Sequence, residues 1–150
     1  MREIRLPLPG RDLSYRIVIE PGVRHRLGSV LAPFRFPPPV VVVSDRRVAR
    51  LHGGTVMDAL GAAGMAPVLL SVPPGERAKT WTVVQRLARE LLARGVHRRT
   101  PVIALGGGVV GDLAGFLASI FMRGLPFIQV PTTLLAMVDA AIGGKTAIDL

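Results

Sequence analysis

The feature that most constrains the fold is a run of four valines in "FPPPVVVVSD", residues 36–45. Three prolines end whatever element precedes the run. A continuous series of β-branched apolar residues is typical of a strand that is buried on both faces, as in parallel sheets covered by helices on either side. The rest of the chain must therefore supply further strands and the helices that cover them.

Three further apolar runs follow the valines, and helical patterns separate them. The runs are "APVLLSV", "PVIAL" and "PFIQV". The clearest helical pattern is "ERAKTWTVVQRLARELLARG", which has one apolar stripe and ends at Gly95, a residue suited to the carboxyl cap of a helix. The stretch from Asp45 to about Ala63 is also helical in pattern, with an expected break at "HGG". This alternation indicates a parallel sheet.

The amino-terminal part predicts a smaller element. Residues 2–8 and 14–20 carry alternating or β-branched apolar residues, and "PGRD" at residues 9–12 separates them as a turn. We therefore predict an α/β protein with a Rossmann-like, doubly wound, mainly parallel sheet and an amino-terminal β-hairpin. At this length, residues 1–150 are expected to form one domain.

The formal charge of +9 does not by itself indicate a nucleic-acid partner. The basic residues are scattered and lack interleaved aromatic residues for stacking on bases, so solvated helix surfaces are the favoured interpretation. The absence of cysteine excludes disulfides and thiolate metal ligands. The most apolar segment, around residues 113–122, is well short of the roughly 20 residues that span a bilayer, and the amino terminus lacks the apolar core of a signal peptide. We expect a cytoplasmic protein with no nucleic-acid or membrane partner.

Only two of the 19 basic residues are lysines, Lys79 and Lys145. In a chain that otherwise uses arginine, a lysine is expected where a compact ammonium is needed rather than a planar guanidinium. Both lysines lie in glycine-containing segments that follow predicted strands. They are therefore candidates for ligand contacts.

Four segments follow the ends of predicted strands, where doubly wound sheets bind ligands. They are "SDRRV", "PPGERAK", "GGGVVGD" and "PTTLLAMVDAAIGGKT". In the third, Gly106, Gly108 and Gly111 have the GxGxxG spacing of a pyrophosphate-binding turn. Close packing of a strand on a helix also requires glycines, so a ligand cradle and a tight corner of the core are equal alternatives. Asp112 is either a carboxylate favoured by the helix dipole or an acceptor beside the cradle.

The other segments supply polar candidates, each with a structural alternative. Asp45 is either a ribose acceptor or the N-cap of a helix. Glu76 and Lys79 share a helix face and form either a ligand contact or a surface ion pair. Thr132 and Thr133 are either hydroxyl donors or helix caps. None of these segments decides between the alternatives alone.

Asp139 is the most unusual polar residue, because it lies in the apolar helical stretch "LLAMVDAAI". An unpaired buried carboxylate is costly, so we expect Asp139 to have a partner or a ligand. Gly143 and Gly144 then introduce Lys145. An acid and an ammonium near a glycine turn suit a substrate rich in hydroxyl, carboxylate or phosphate groups, and a salt bridge between them is the alternative.

The stretch "ALGGGVVGDLAGFLASIFMRGLPFIQVPTTLLAMVDAAIGGKT" closely resembles the core signature of the 3-dehydroquinate synthase family. "VVVSD" followed by "PPGERAKT" also resembles the amino-terminal domain of that family. Related sugar-phosphate cyclases share the glycine turn and "VPTT", but "VDAAIGGKT" is closer to the dehydroquinate enzymes. One departure is Arg47, which stands where many members have asparagine. The resemblance implies NAD as the cofactor.

The resemblance also implies roles for individual residues. The adenosine end of NAD would contact Asp45, Glu76 and Lys79, and its pyrophosphate would lie on Gly107 and Gly108. Asp139, Lys145 and Arg123 would be catalytic, with Arg123 reaching the substrate phosphate in the neighbouring subunit of a homodimer. The full implied NAD-binding set is Asp45, Gly75, Glu76, Lys79, Gly107, Gly108, Gly111, Asp112, Thr132, Thr133, Asp139 and Lys145.

The reaction implied by the resemblance is that of a lyase in the shikimate pathway, which leads to chorismate and the aromatic amino acids. It converts 3-deoxy-D-arabino-heptulosonate 7-phosphate to 3-dehydroquinate and phosphate with transient reduction of NAD. The family's divalent metal, zinc or cobalt, is held by one Glu and two His in a helical carboxyl-terminal domain, and His25, His52 and His97 do not stand at such positions. We expect this chain to be the NAD-binding part, without a metal site and inactive alone. Another sugar-phosphate cyclase, a polyol dehydrogenase and a non-catalytic NAD-binding remnant are the alternatives.

Overall fold

The amino-terminal segment contains an antiparallel pair of strands. A computed structural model describes residues 2–6 and 15–149 of the chain, with side chains described from residue 15 onward. Strand β1 (Arg2–Leu6) pairs with strand β2 (Tyr15–Ile19). The two predicted arms of the hairpin are confirmed, and the turn predicted at residues 9–12 lies outside the described residues.

The main sheet contains four parallel strands in the order β4-β3-β5-β6. The strands are β3 (Val40–Asp45), β4 (Pro67–Val72), β5 (Val102–Gly106) and β6 (Phe127–Pro131). The four valines of β3 are each 0% exposed, as expected for a strand that is covered on both faces. The predicted parallel sheet is confirmed.

One α-helix precedes the parallel sheet and the others connect its strands. The α-helices are α1 (Leu27–Leu31), α2 (Arg46–Val48), α3 (Gly54–Ala62), α4 (Trp81–Ala93) and α5 (Gly108–Ile120). Short 3-10 turns cover Val23–Arg26, Ala32–Phe34, Glu76–Ala78 and Phe121–Arg123, and π-helical turns cover Ala49–Gly53 and Ala136–Ala140. Of the helices in the described part of the chain, none is both long and apolar enough to cross a membrane.

The helical stretch after β3 does not have the break predicted at "HGG". α2 continues through the π-helical turn Ala49–Gly53 directly into α3. Gly53 and Gly54 keep right-handed helical backbone angles, with φ of −59° and −52°. The predicted interruption is wrong because glycine permits a break without imposing one, and the buried Val56 and Leu60 hold α3 on the sheet.

The valines of β3 divide between two hydrophobic cores, one on each face of the sheet. Val41 and Val43 pack with the buried side chains of α4 and α5. Val40 and Val42 pack with those of α1 and α3. Helices on both faces confirm the predicted doubly wound arrangement.

The direction of the crossovers reverses at β3. The chain passes from β3 outward to β4, crosses to the other side of β3 to form β5, and then continues outward to β6. Such a reversal leaves a crevice beyond the carboxyl ends of β3 and β5, which is where doubly wound sheets bind ligands. Ser44 ties the two strand ends together, since its buried Oγ donates a hydrogen bond of 2.7 Å to the Leu105 carbonyl.

The contact between α1 and α3 predicts opposite effects for two glycine substitutions. A Cβ atom built on Gly28 of α1 would lie 2.2 Å from the Ala59 carbonyl oxygen of α3. We expect Gly28→Ala to lower the free energy of unfolding by about 1–3 kcal/mol, because the helices must move apart. A Cβ atom on Gly61 of α3 would meet nothing within 4 Å, so Gly61→Ala should raise that free energy by up to about 1 kcal/mol. Urea unfolding followed by circular dichroism measures both, and equal effects would contradict the described helix contact.

Candidate functional site

The amino terminus of α5 lies at the crevice between β3 and β5. β5 ends at Gly106, Gly107 is the N-cap residue, and α5 begins at Gly108. Asp45 caps α2 and Thr80 caps α4 through side-chain oxygens, but among the described residues no side chain caps α5. The first N–H groups of a helix lack intrahelical acceptors and carry the positive end of the helix dipole. This end of α5 is therefore suited to bind an anionic group such as a phosphate.

Packing requires the first glycine of "GGGVVGD", and the last glycine is buried beside the end of a flexible Gln side chain. A Cβ atom on Gly106 would lie 2.6 Å from Val110 Cβ, in the first turn of α5. A Cβ atom on Gly111 would lie 2.7 Å from Gln129 Oε1, which belongs to β6. These positions form the tight corner between strand and helix that the sequence allowed as one alternative.

The other two glycines, Gly107 and Gly108, are half-buried at the start of α5, and Gly108 has the more open surroundings. A Cβ atom on Gly107 would lie 3.2 Å from Thr133 Cγ2, and one on Gly108 would lie 3.5 Å from Ala140 Cβ. Side chains at these positions would fill the space between the end of α5 and the segment after β6. The corner and the cradle thus involve different glycines of the same turn.

Lys79 lies among three carboxylates at the edge of the crevice. Its Nζ is 3.2 Å from Asp112 Oδ2, 3.4 Å from Glu76 Oε2 and 3.9 Å from Asp149 Oδ1. The ion pair considered for Glu76 and Lys79 is present, and Asp112 is a nearer partner. The hydrogen bond to Asp112 is the main cause that raises the pKa of Lys79 above its ordinary value of 10.5. Burial opposes this pKa shift, and the three carboxylate charges add to it.

Thr132 and Thr133 have different hydrogen-bonding environments. Thr133 Oγ1 accepts a hydrogen bond of 3.3 Å from the Ala136 N–H and so caps the turn that follows. The Thr132 N–H donates to the Gly106 carbonyl at 2.9 Å, but its Oγ1 is buried without a hydrogen-bond partner in the described part of the chain. Because an unpartnered buried hydroxyl is costly, Thr132 is a candidate for contact with a bound molecule.

Asp45 is the last residue of β3, and Glu76 follows the neighbouring strand β4. Asp45 Oδ1 accepts hydrogen bonds of 2.8 Å and 3.0 Å from the N–H groups of Arg47 and Val48, which confirms the N-cap interpretation. Its Oδ2 takes part in neither bond. Gly75 has a φ of 81°, in the left-handed region that favours glycine, and precedes Glu76, whose side chain is 69% exposed. Both acids are therefore near the crevice without being buried in it.

Asp139 lies in an exposed turn and not in a buried helix. It belongs to the π-helical turn Ala136–Ala140, and the Leu, Met and Val side chains of "LLAMVD" are 51–75% exposed. Asp139 itself is exposed, so the expectation of a buried carboxylate is wrong. Among the described side chains, Asp139 and Lys145 form no ion pair with each other.

A cavity of about 270 Å³ brings three candidate residues together instead. Its lining consists of Asp112, Asp139, Ala140, Gly143, Lys145 and Ala147. Asp112 comes from α5, whereas Asp139 and Lys145 come from the two sides of the glycine turn after β6. Two carboxylates and one ammonium provide acceptors and donors for a polar ligand.

Arg123 lies away from this cavity. It follows the carboxyl end of α5, whose 13 residues separate it by about 20 Å from the glycine turn. Met122, Arg123 and Gly124 have φ of 50°, 67° and 111°. Two consecutive non-glycine residues in the left-handed region indicate local backbone strain. The structure therefore does not bring Arg123 together with the other candidates within one chain.

Two contacts, made by Asp149 and Tyr15, were not predicted from the sequence. The Asp149 N–H donates to the Lys79 carbonyl at 2.7 Å, and Thr80 and Asp149 form a parallel bridge. The Tyr15 hydroxyl donates to the Ile142 carbonyl. Both contacts join segments that are remote in the sequence, so no local pattern could have identified them.

Known proteins resemble this chain over most of its length. Residues 69–150 match the family model described as 3-dehydroquinate synthase N-terminal. A 3-dehydroquinate synthase of Syntrophotalea carbinolica is 48% identical over 92% of this chain. This chain spans 38% of that relative's length.

Two solved structures share the arrangement of the strands and helices. A 2-deoxy-scyllo-inosose synthase complexed with carbaglucose-6-phosphate, NAD+ and Co2+ has a TM-score of 0.87 and 29% identity, with 99% of this chain and 40% of that chain covered. The 2-epi-5-epi-valiolone synthase of Streptomyces hygroscopicus subsp. jinggangensis, with NAD+ and Zn2+ bound, has a TM-score of 0.81 and 32% identity. The match covers 93% of this chain and 38% of that synthase.

The raised pKa of Lys79 predicts a stability loss at alkaline pH. Its stabilising contribution is fully present below the ordinary value of 10.5 and is lost as the pH rises through the higher pKa of the folded state. The free energy of unfolding should therefore fall more steeply above that pH in the wild type than in Lys79→Gln. Urea unfolding at a series of alkaline pH values measures this difference. Lys145→Gln, which removes a positive charge from an exposed side chain, is the control for net charge, and equal slopes in wild type and Lys79→Gln would contradict the prediction.

Proposed function

The chain belongs to the 3-dehydroquinate synthase family, and on this premise we propose that it is the NAD-binding part of a 3-dehydroquinate synthase. The observation that carries the proposal is the uncapped amino terminus of α5 at the crevice between β3 and β5. Helix ends of this kind bind pyrophosphate in dinucleotide-binding sheets.

The residues at the crevice fit a dinucleotide. Gly107 and Gly108 leave room for close approach of a pyrophosphate to the backbone N–H groups of α5. The unpartnered Thr132 hydroxyl would donate to or accept from the bound molecule. Thr133 would act mainly by capping the turn that holds Asp139 beside the site.

The two ends of the cofactor would lie on opposite sides of the glycine turn. Asp45, Gly75, Glu76 and Lys79 follow β3 and β4 and would contact the adenosine end. The cavity lined by Asp112, Asp139 and Lys145 would receive the nicotinamide end together with the substrate. Gly111 would contribute indirectly, since it is buried where α5 faces β6.

The proposed substrate of the whole enzyme is 3-deoxy-D-arabino-heptulosonate 7-phosphate, and the products are 3-dehydroquinate and phosphate. NAD, when bound, would itself be the transient hydride acceptor. The Lys145 ammonium would bind the substrate carboxylate or hydroxyls, and the Asp139 carboxylate would accept hydrogen bonds from hydroxyls. The described residues contain no group of three or more His, Cys, Asp or Glu side chains that could hold a metal ion, so no step is assigned to a metal within this chain.

Arg123 has a separate proposed role. Its strained turn presents the exposed side chain at the end of α5 far from the cavity. This placement supports contact with the substrate phosphate in the site of a second subunit, in a homodimer. A guanidinium suits this contact because it binds phosphate in a bidentate manner.

Removal of the Thr132 hydroxyl is expected to weaken NAD binding without lowering the free energy of unfolding. Thr132→Val should weaken NAD binding about three- to tenfold, the value of one hydrogen bond. The same substitution should leave the free energy of unfolding without NAD unchanged or higher, because the hydroxyl has no partner in the described chain. Calorimetric titration with NAD and urea unfolding measure the two effects.

The matched control is Thr82→Val, which removes a hydroxyl from an exposed position of α4. Thr82→Val should leave the NAD affinity unchanged. Equal NAD affinity in Thr132→Val and the wild type would remove Thr132 from the site. A folded wild-type chain that binds no NAD would contradict the proposed function.

The catalytic proposal requires the rest of the enzyme. We expect a chimera that joins this chain to the unmatched part of the Syntrophotalea carbinolica relative to release phosphate from 3-deoxy-D-arabino-heptulosonate 7-phosphate without accumulating NADH. Asp139→Asn in the chimera should lower the rate by at least about tenfold, while Asp58→Asn on the exposed surface of α3 should not. Net NADH formation from a polyol would indicate a dehydrogenase, and turnover of glucose 6-phosphate instead would indicate another cyclase.

A further inference from the structure

The chain after the glycine turn of Lys145 returns to the turn that carries Lys79. The Asp149 N–H donates to the Lys79 carbonyl at 2.7 Å, and Thr80 pairs with Asp149 in a parallel bridge. The Asp149 carboxylate also lies 3.9 Å from the Lys79 ammonium. Residues 142–149, called the returning segment below, therefore connect the Lys145 side of the cavity to the Lys79 side.

The returning segment is fixed along its length. The Ile142 carbonyl accepts a hydrogen bond from the Tyr15 hydroxyl of β2. Thr146 Cγ2 lies only 2.3 Å from where a Cβ atom on Gly115 of α5 would be, so the segment passes directly over that glycine. Ile148 packs on the core between the sheet and α4 and α5. The segment therefore has one defined path across α5.

Both sides of the cavity depend on this path. Asp112 lines the cavity and lies 3.2 Å from the Lys79 ammonium, whereas Lys145 and Ala147 line it from the returning segment. We propose that Asp149 is a positioning residue for Lys79. The backbone pairing of Asp149 holds the Lys79 ammonium beside the Asp112 carboxylate. It also fixes the segment that places Lys145 on the opposite side of the cavity. The proposal rests on the proposed function in one respect, namely that NAD is the molecule bound there.

The backbone of Asp149 contributes more to this positioning than its carboxylate. The carboxylate is 61% exposed at 3.9 Å from the ammonium, and exposed ion pairs contribute little. The hydrogen bond from the N–H is short, at 2.7 Å, and is part of the parallel bridge that joins the returning segment to the start of α4. A substitution that removes the N–H should therefore act more strongly than one that removes only the carboxylate.

The variants Asp149→Pro and Asp149→Ala separate the two contributions. Both remove the carboxylate, but only proline removes the N–H. The chain contains two lysines, so labelling of lysine with ¹⁵N gives one ammonium signal for Lys79 and one for Lys145. We expect the enclosed Lys79 ammonium to exchange its protons slowly in the wild type and in Asp149→Ala, and rapidly in Asp149→Pro. General unfolding would instead alter the signals of both lysines.

Calorimetry with NAD gives a second readout. Asp149→Pro is expected to weaken NAD binding about three- to tenfold, as for one lost hydrogen bond. Asp149→Ala should weaken it less than about threefold. Asp58→Asn, on the exposed surface of α3, is the control for loss of one carboxylate. A chain shortened by residues 149 and 150 also lacks the Asp149 N–H. Unlike Asp149→Pro, it places no constraint on the residue before position 149. It should nevertheless behave as Asp149→Pro does.

Slow proton exchange of the Lys79 ammonium in both Asp149→Pro and the shortened chain would overturn the proposal. Equal NAD affinity of Asp149→Pro and Asp149→Ala would overturn it as well. If the folded wild type binds no NAD, the proposed function fails, while the lysine signals still decide whether Asp149 positions Lys79.

Discussion

β3 is buried on both faces, and the positions of the other strands and helices follow from this burial. Its alternate valines belong to two separate cores, so helices must cover both sides of the sheet. Because β3 lies between β4 and β5, the crossovers that reach those strands leave in opposite directions and open a crevice at the strand ends. Asp45, the glycine turn and the Lys79 cluster all lie along this edge of the sheet. The position of the candidate site thus follows from the packing of one strand.

The positive groups around the crevice differ in how far neighbouring side chains neutralise them. The Lys79 ammonium has three carboxylates within 4.0 Å, whereas α5 has no side-chain cap among the described residues. On the proposed function, the N–H groups of α5 therefore provide most of the attraction for a pyrophosphate. Lys79 contributes mainly by holding Asp112 and the returning segment in place. Lys79 would thus act on the geometry of the site in addition to its contact with the adenosine end, and Lys145 would act on the ligand alone.

The sequence predicted those features that depend on local patterns. The strands could be predicted because burial on both faces leaves continuous apolar runs, and the glycine turn because its spacing is recognisable. The sequence could not show that Gly106 and Gly111 are buried whereas Gly107 and Gly108 are half-buried, since that difference depends on which residues lie opposite. Asp139 was expected to be buried because an apolar run has the same pattern whether it faces a core or lies exposed. The pairing of Asp149 with Lys79 depends on the path of the whole returning segment and leaves no local pattern.

On the proposed function, the uncapped amino terminus of α5 binds the pyrophosphate of NAD. Backbone amide chemical shifts of the ¹⁵N-labelled chain, followed during titration with NAD, test this claim most directly. If the pyrophosphate binds there, the largest shift changes will occur at the N–H groups of Gly107, Gly108 and Val109, at the start of α5. Changes confined to the capped amino termini of α2 and α4, or no change at saturating NAD in a folded chain, would contradict it.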